Sequence, residues 1–156
     1  MQEEVYNTRD RHYSAWHRRL STGRFIGIEK AQLLAMIDLD ASLYVEYDDG
    51  TKEPLALIET AQDVGQPHKT ATVTLNLAKR ADLPCYVVLY KLSKDKNPFD
   101  DKWRDIESFR VKRLYPKYEK EWNIITPDKW ANNLIKLREW QANKLDKELF
   151  IPRSPK

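Results

Sequence analysis

The sequence is poor in several residues on which whole classes of protein depend. It holds one cysteine, Cys85, in 156 residues, so an intrachain disulfide and a cysteine-based zinc site are both excluded. Cys85 opens the apolar run Cys85-Tyr86-Val87-Val88-Leu89-Tyr90, where a lone thiol is expected to pack as a small hydrophobe. Only four glycines occur, and none belongs to a Gly-rich phosphate loop; Ser, His and acid do not stand at the spacing of a hydrolase motif either. Nucleotide hydrolases, kinases and dinucleotide enzymes are therefore not expected. No window approaches the roughly 18 consecutive apolar residues of a membrane span. The first residues are polar and charged, so the expectation is a cytoplasmic protein without export signal or anchor. Neither sign of charge dominates: 27 Lys and Arg stand against 24 Asp and Glu, a net +3 that suits a polyanionic partner but falls far short of a nucleic-acid coat.

What is present describes a folded chain with a densely charged surface, since 41% of residues are hydrophobic and 33% charged. One domain over residues 1–156 is the expectation at this length. Tyr13, Trp16 and Leu20 recur at helical spacing and predict a short amphipathic helix over 10–21, ended by Ser21-Thr22-Gly23. Residues 24–38 mix strand-like Phe25-Ile26-Gly27-Ile28 with a run of helix formers, and irregular structure or a short helical turn is expected there. Leu43, Val45 and Tyr47 then alternate with Ser42, Tyr44 and Glu46. Asp48-Asp49-Gly50 follows as a turn, and a second run over 54–60 completes a β-hairpin. Leu55-Ala56-Leu57-Ile58 is continuously apolar, as in a central strand covered on both faces, so Glu59 at its end is chemically unusual.

A helix is predicted over 68–81, with Thr72, Leu75 and Ala78 on one face, stopped by Asp82-Leu83-Pro84 before a buried strand over 86–90. Strand, helix and strand in this order predict a right-handed parallel crossover. Residues 94–104, with Asn97-Pro98, read as a surface loop, and 106–115 as an edge strand. Thr126-Pro127-Asp128 starts a last helix, to about residue 145, with Trp130, Leu134, Leu137 and Trp140 as its apolar stripe. The fold class is thus α/β, a mixed central sheet flanked by helices and closed by a C-terminal helix.

Asp38 and Asp40 lie two apart, hence on one side of an extended chain, and Glu59 ends the adjoining hairpin strand. Three carboxylates converging at one sheet edge suit Mg²⁺ or Mn²⁺, which is held by one or two carboxylates together with water and a substrate phosphate. The alternative is that all three are strand-end carboxylates facing water, as most acids are.

The order helix, hairpin with Asp38 and Asp40, Glu59, helix and strand resembles the core of the PD-(D/E)xK nuclease superfamily over about residues 10–92. There an acid near the start of one strand is followed by Glu-x-Lys on the next, and 18 residues separate Asp40 from Glu59 here. The resemblance implies a restriction-endonuclease-like fold, with the strand and helix of residues 105–148 added to it. It implies Mg²⁺-dependent hydrolysis of DNA, metal held by Asp38, Asp40 and Glu59, and possible homodimerisation of the kind that cuts two strands. It also implies the setting in which such compact nucleases are met, phage or prophage. The lysine position of Glu-x-Lys falls on Ala61, so a substitute must come from elsewhere: Lys69 first, then Gln62 or Lys91. Without a substitute, the same architecture would be a module that binds nucleic acid or a protein without turnover.

Further candidates for phosphate contact are His12, Arg18 and Arg19 on the first helix, Lys69 near the start of the second, and Arg110, Lys112 and Arg113 in a segment that interleaves bases with aromatics. For the helix residues the alternative is a solvated face, and for the segment an edge strand protected by lysines.

Overall fold

The computed structural model describes residues 11–16 and 39–150. Packing divides the chain into two compact units, Met1–Asp38 and Leu39–Lys156. In the first, α1 spans Arg11–Trp16; His12 is exposed and Trp16 is 44% exposed. The rest of the predicted first helix, with Arg18 and Arg19, lies outside the described residues, as do residues 24–38 and with them Asp38.

The second unit is built on a mixed sheet of β1 (Ala41–Glu46), β2 (Lys52–Gln62), β3 (Cys85–Asn97), β4 (Asp100–Tyr115) and β5 (Asn123–Ile125), in that spatial order. Helix α2 (Thr72–Ala81) links β2 to β3, and α3 (Pro127–Phe150) follows β5. Only the β2–β3 pair is parallel among these neighbours, because only there does a helix carry the chain back to the starting edge. The predicted hairpin is β1–β2. Its turn closes with Gly50 N–H donating to Tyr47 O at 2.9 Å, and Gly50 adopts φ +84°, a conformation that favours glycine.

The central run of β2 is buried on both faces, and alternation assigns each residue to a layer. Leu57, Cys85, Ala78 and Leu83 form a cluster beneath α2. Ile58, Val88, Val111, Ile125 and Trp130 form another beneath α3. The two helices thus cover opposite faces of the sheet, the general α/β expectation of a flanked mixed sheet with a C-terminal helix. Tyr86 meets Trp130 edge-on at 5.9 Å between ring centroids within the α3 layer.

Four local expectations change. Helix α2 begins at Thr72 rather than at residue 68, and its buried residues are Thr74 and Ala78 rather than a face through Thr72. Residues 94–104 are not a loop: β3 and β4 run on as a ribbon turned at Pro98-Phe99, with Asn97 opposite Asp100. Apart from Pro98 and the exposed Phe99 and Trp103 its side chains are polar or charged on both faces, which removes the period-2 signal while leaving backbone pairing intact. Strand β4 is not an edge, because β5 pairs with it through Phe109, Arg110 and Val111. The stripe of α3 ends on Gln141, 2% exposed, rather than on Trp140, 51% exposed; Gln141 Nε2 donates to Leu55 O at 3.2 Å. The helix start is as expected, with Lys129 N–H donating to Thr126 Oγ1 at 3.2 Å.

Candidate functional site

Where β1 begins, the β2 backbone passes beyond its partner, and the edge N–H of Thr60 needs another acceptor. Asp40, the residue before β1, supplies it: Thr60 N–H donates to Asp40 Oδ2 at 2.9 Å. This bond fixes the Asp40 carboxylate beside the end of β2, one residue from Glu59.

Glu59 points into the α2 layer and is 5% exposed, so its carboxylate must be matched by polar partners to remain there. Thr74, buried on α2, donates its hydroxyl to Glu59 Oε1. Lys69, in the loop between β2 and α2, donates Nζ to Glu59 Oε2 at 3.1 Å, and the same Nζ lies 3.7 Å from Asp40 Oδ2. The three side chains therefore meet at one point, with one ammonium between two carboxylates. The side chains of Lys69 and Asp40 are 24% and 33% exposed, so solvent and solutes reach the cluster from that side. Glu59's charge is also felt by Cys85, whose thiol is pushed up to about 11 first by burial and then by that carboxylate.

The loop that delivers Lys69 is itself pinned. Arg110 of β4 makes a two-pronged contact with Asp63, Nε to Oδ2 and Nη2 to Oδ1, both at 2.7 Å, and Nη2 also donates to Gln66 O at 2.9 Å. Trp122 Nε1 donates to Pro67 O at 2.9 Å, and the Arg110 guanidinium stacks 5.1 Å from the Trp122 ring. The Arg110 contact, followed by the Gly65 N–H, holds the Asp63 carboxyl below its ordinary range. The stretch is thus held as a loop, and α2 starts at Thr72, with Leu75 N–H donating to Ala71 O at 2.8 Å.

The remaining sequence candidates fall in different places. Gln62 is exposed at the end of β2, and alternation puts it on the opposite face from Glu59. His68 is exposed in the loop, and Lys69 is not at a helix N-terminus. Lys91 pairs with Glu107 at 3.2 Å rather than with Glu59. Arg110 and Lys112 lie opposite Leu89 and Val87 of β3, on the Glu59 face, whereas Arg113 lies opposite Tyr86, on the α3 face. The basic segment is thus two sets of cations on two faces, not one. Arg110 is committed to Asp63, while Lys112 lies 4.8 Å from the Trp122 ring and 6.0 Å from that of Tyr118. Thr74, Asp63 and Trp122 were not among the sequence candidates; helical spacing from Ala78 would have found Thr74, but no local pattern marks the other two.

Asp40 and Glu59 are oxygen donors of the kind that Mg²⁺ or Mn²⁺ takes, and the ammonium of Lys69 lies between them. Among the described residues no three His, Cys, Asp or Glu side chains gather, so an ion here would take its other ligands from water and phosphate. No family model, curated protein or solved structure matches the chain. Among the described residues no helix is long and apolar enough to cross a membrane.

Proposed function

We propose that the chain is a Mg²⁺- or Mn²⁺-dependent nuclease of the PD-(D/E)xK type, with a restriction-endonuclease-like core, that hydrolyses DNA phosphodiesters. The observation that carries this reading is the placement of Lys69 Nζ at 3.1 Å from Glu59 and 3.7 Å from Asp40. A lysine from the following loop then does what Ala61 cannot, and the departure from Glu-x-Lys is one of chain position rather than of chemistry. The strand order supports it as well, since the acids lie on a hairpin followed by a parallel crossover.

In this reading Asp40 and Glu59 would hold the metal, which would supply Lewis acidity toward water and phosphate when bound. The chain's own part is orientation. Thr60 N–H fixes Asp40, Thr74 fixes Glu59, and Lys69 donates to the attacking water and offsets the charge developing on the phosphoryl oxygens. Lys112, on the same sheet face, offers a contact to the DNA backbone. A nuclease that cuts both strands would act as a homodimer.

A second reading keeps the architecture and drops turnover. The ammonium of Lys69 already balances the carboxylates, as it would in a nucleic-acid-binding module that needs no metal. Cleavage of linear, branched and single-stranded DNA with Mg²⁺ or Mn²⁺ separates the two, using wild type beside Asp40→Ala, Glu59→Gln and Lys69→Met. Metal-dependent cutting lost in the carboxylate variants, and lowered about 10²–10³-fold in Lys69→Met, is the expected result. Binding without cutting by folded wild type would select the inert module, and neither binding nor cutting would end both readings.

A further inference from the structure

A groove of about 440 Å³ lies on the α3 face of the sheet, opposite Glu59. Its volume is in the range of small-molecule sites, roughly 300–1,000 Å³. Tyr86 and Arg113, paired directly across β3 and β4, form part of the floor with Ile125 and Trp130. Lys129, Asn133 and Lys136 recur at helical spacing along the α3 rim, and Asn123 of β5 stands on the other side.

The charge balance of this groove is one-sided. Glu119 is its one carboxylate among the lining residues, and it is already engaged: Oε1 accepts from Arg113 N–H at 3.1 Å and Oε2 from Asn123 Nδ2 at 2.7 Å. Arg113 donates Nε to Lys117 O at 2.8 Å, with Glu119 3.9 Å away. Lys129 and Lys136 are exposed and form no ion pair among the described residues. Three cations thus face one satisfied carboxylate around an aromatic and aliphatic floor. That combination calls for a ligand with a flat apolar body, polar edges for amide groups to address, and an anionic end.

We propose that this groove binds a nucleoside monophosphate unit, free or at the 5′ end of a strand, with its phosphate on Lys129, Lys136 and Arg113 and its base over the Tyr86–Trp130 floor beside Asn123 and Asn133. The site is independent of the carboxylate cluster, because the sheet separates the two. A ligand seated here would be recognised whether or not the cluster cuts DNA.

Isothermal titration of the full chain, without added divalent metal, tests this with AMP, adenosine, inorganic phosphate and a 5′-phosphorylated hexathymidylate. AMP is expected to bind more tightly than either adenosine or phosphate. Lys129→Gln/Lys136→Gln should weaken it about tenfold or more, since each charge-assisted contact matters at that scale. Asn133→Ala should weaken it while Asp40→Asn leaves it unchanged. Tighter binding of the oligonucleotide than of AMP would assign the site to strand ends, and the reverse to free nucleotide; both support the proposal. No binding of AMP or oligonucleotide, phosphate binding as tightly as AMP, or a double variant of unchanged melting temperature and affinity would each overturn it.

Discussion

Arg110→Ala should unlatch the loop that carries Lys69 without dismantling the sheet. The side chains of Arg110 and Asp63 are 18% and 16% exposed, and the guanidinium makes two contacts to the carboxylate and a third to Gln66 O. Removing one partner of a largely buried, two-pronged pair costs about 2–4 kcal/mol, because Asp63 is left without its cation. The strands to either side keep their ladders, so most of that loss should appear as opening of residues 63–70. Even about 2 kcal/mol raises the opening equilibrium by roughly thirtyfold, at 1.4 kcal/mol per factor of ten. Hydrogen exchange followed by mass spectrometry reads this directly, because exchange of the loop amides tracks local opening. The loop peptide should exchange faster in the variant by about that factor, while a peptide from the buried part of β3 changes little. Equal loop exchange in variant and wild type, or a uniform rise across the sheet, would refute the idea that Arg110 holds Lys69 in place.

Three further outcomes follow from the same contacts. Thr74→Val removes the hydroxyl that faces Glu59 in the α2 layer, and urea unfolding should show a loss of about 1–3 kcal/mol, with Thr74→Ser much closer to wild type. Asp63 has a native pKa below its ordinary value, so its contribution to stability is complete above that ordinary value and lost as pH falls through the depressed one. Unfolding midpoints taken from pH 6 down to 2 should therefore fall more steeply for wild type below about pH 4 than for Asp63→Asn. Cys85, buried with its thiol pushed up to about 11, should resist a thiol reagent at pH 8 in the native protein and react at once in denaturant; fast native labelling would contradict the packing of β3 against α2.

The elements whose signals are local can be read along the chain. Alternation through Leu43 and Val45, the turn at Gly50 and the apolar run from Leu55 specify the hairpin and its central strand. Thr126-Pro127 specifies the start of α3. Asp40 and Glu59 were legible as acids flanking the hairpin strands, whereas Lys69 came from the resemblance, as the substitute for the lysine missing at Ala61. It could not see the β3–β4 ribbon, whose polar residues carry no periodic contrast, nor β5, three residues whose existence depends on β4 being there to pair with.

Which charges meet, by contrast, follows from tertiary packing alone. Lys69 reaches Glu59 because its loop is anchored 47 residues away in sequence, by Arg110 on Asp63, and 55 residues away, by Trp122 on Pro67. Arg110 and Arg113, three apart in the chain, face opposite sides of the sheet because strand side chains alternate with period two. Hydrophobic periodicity is written into neighbouring residues and can be read along the chain. The pairing of buried charges depends on strand order and register, which exist only once distant segments have been brought side by side.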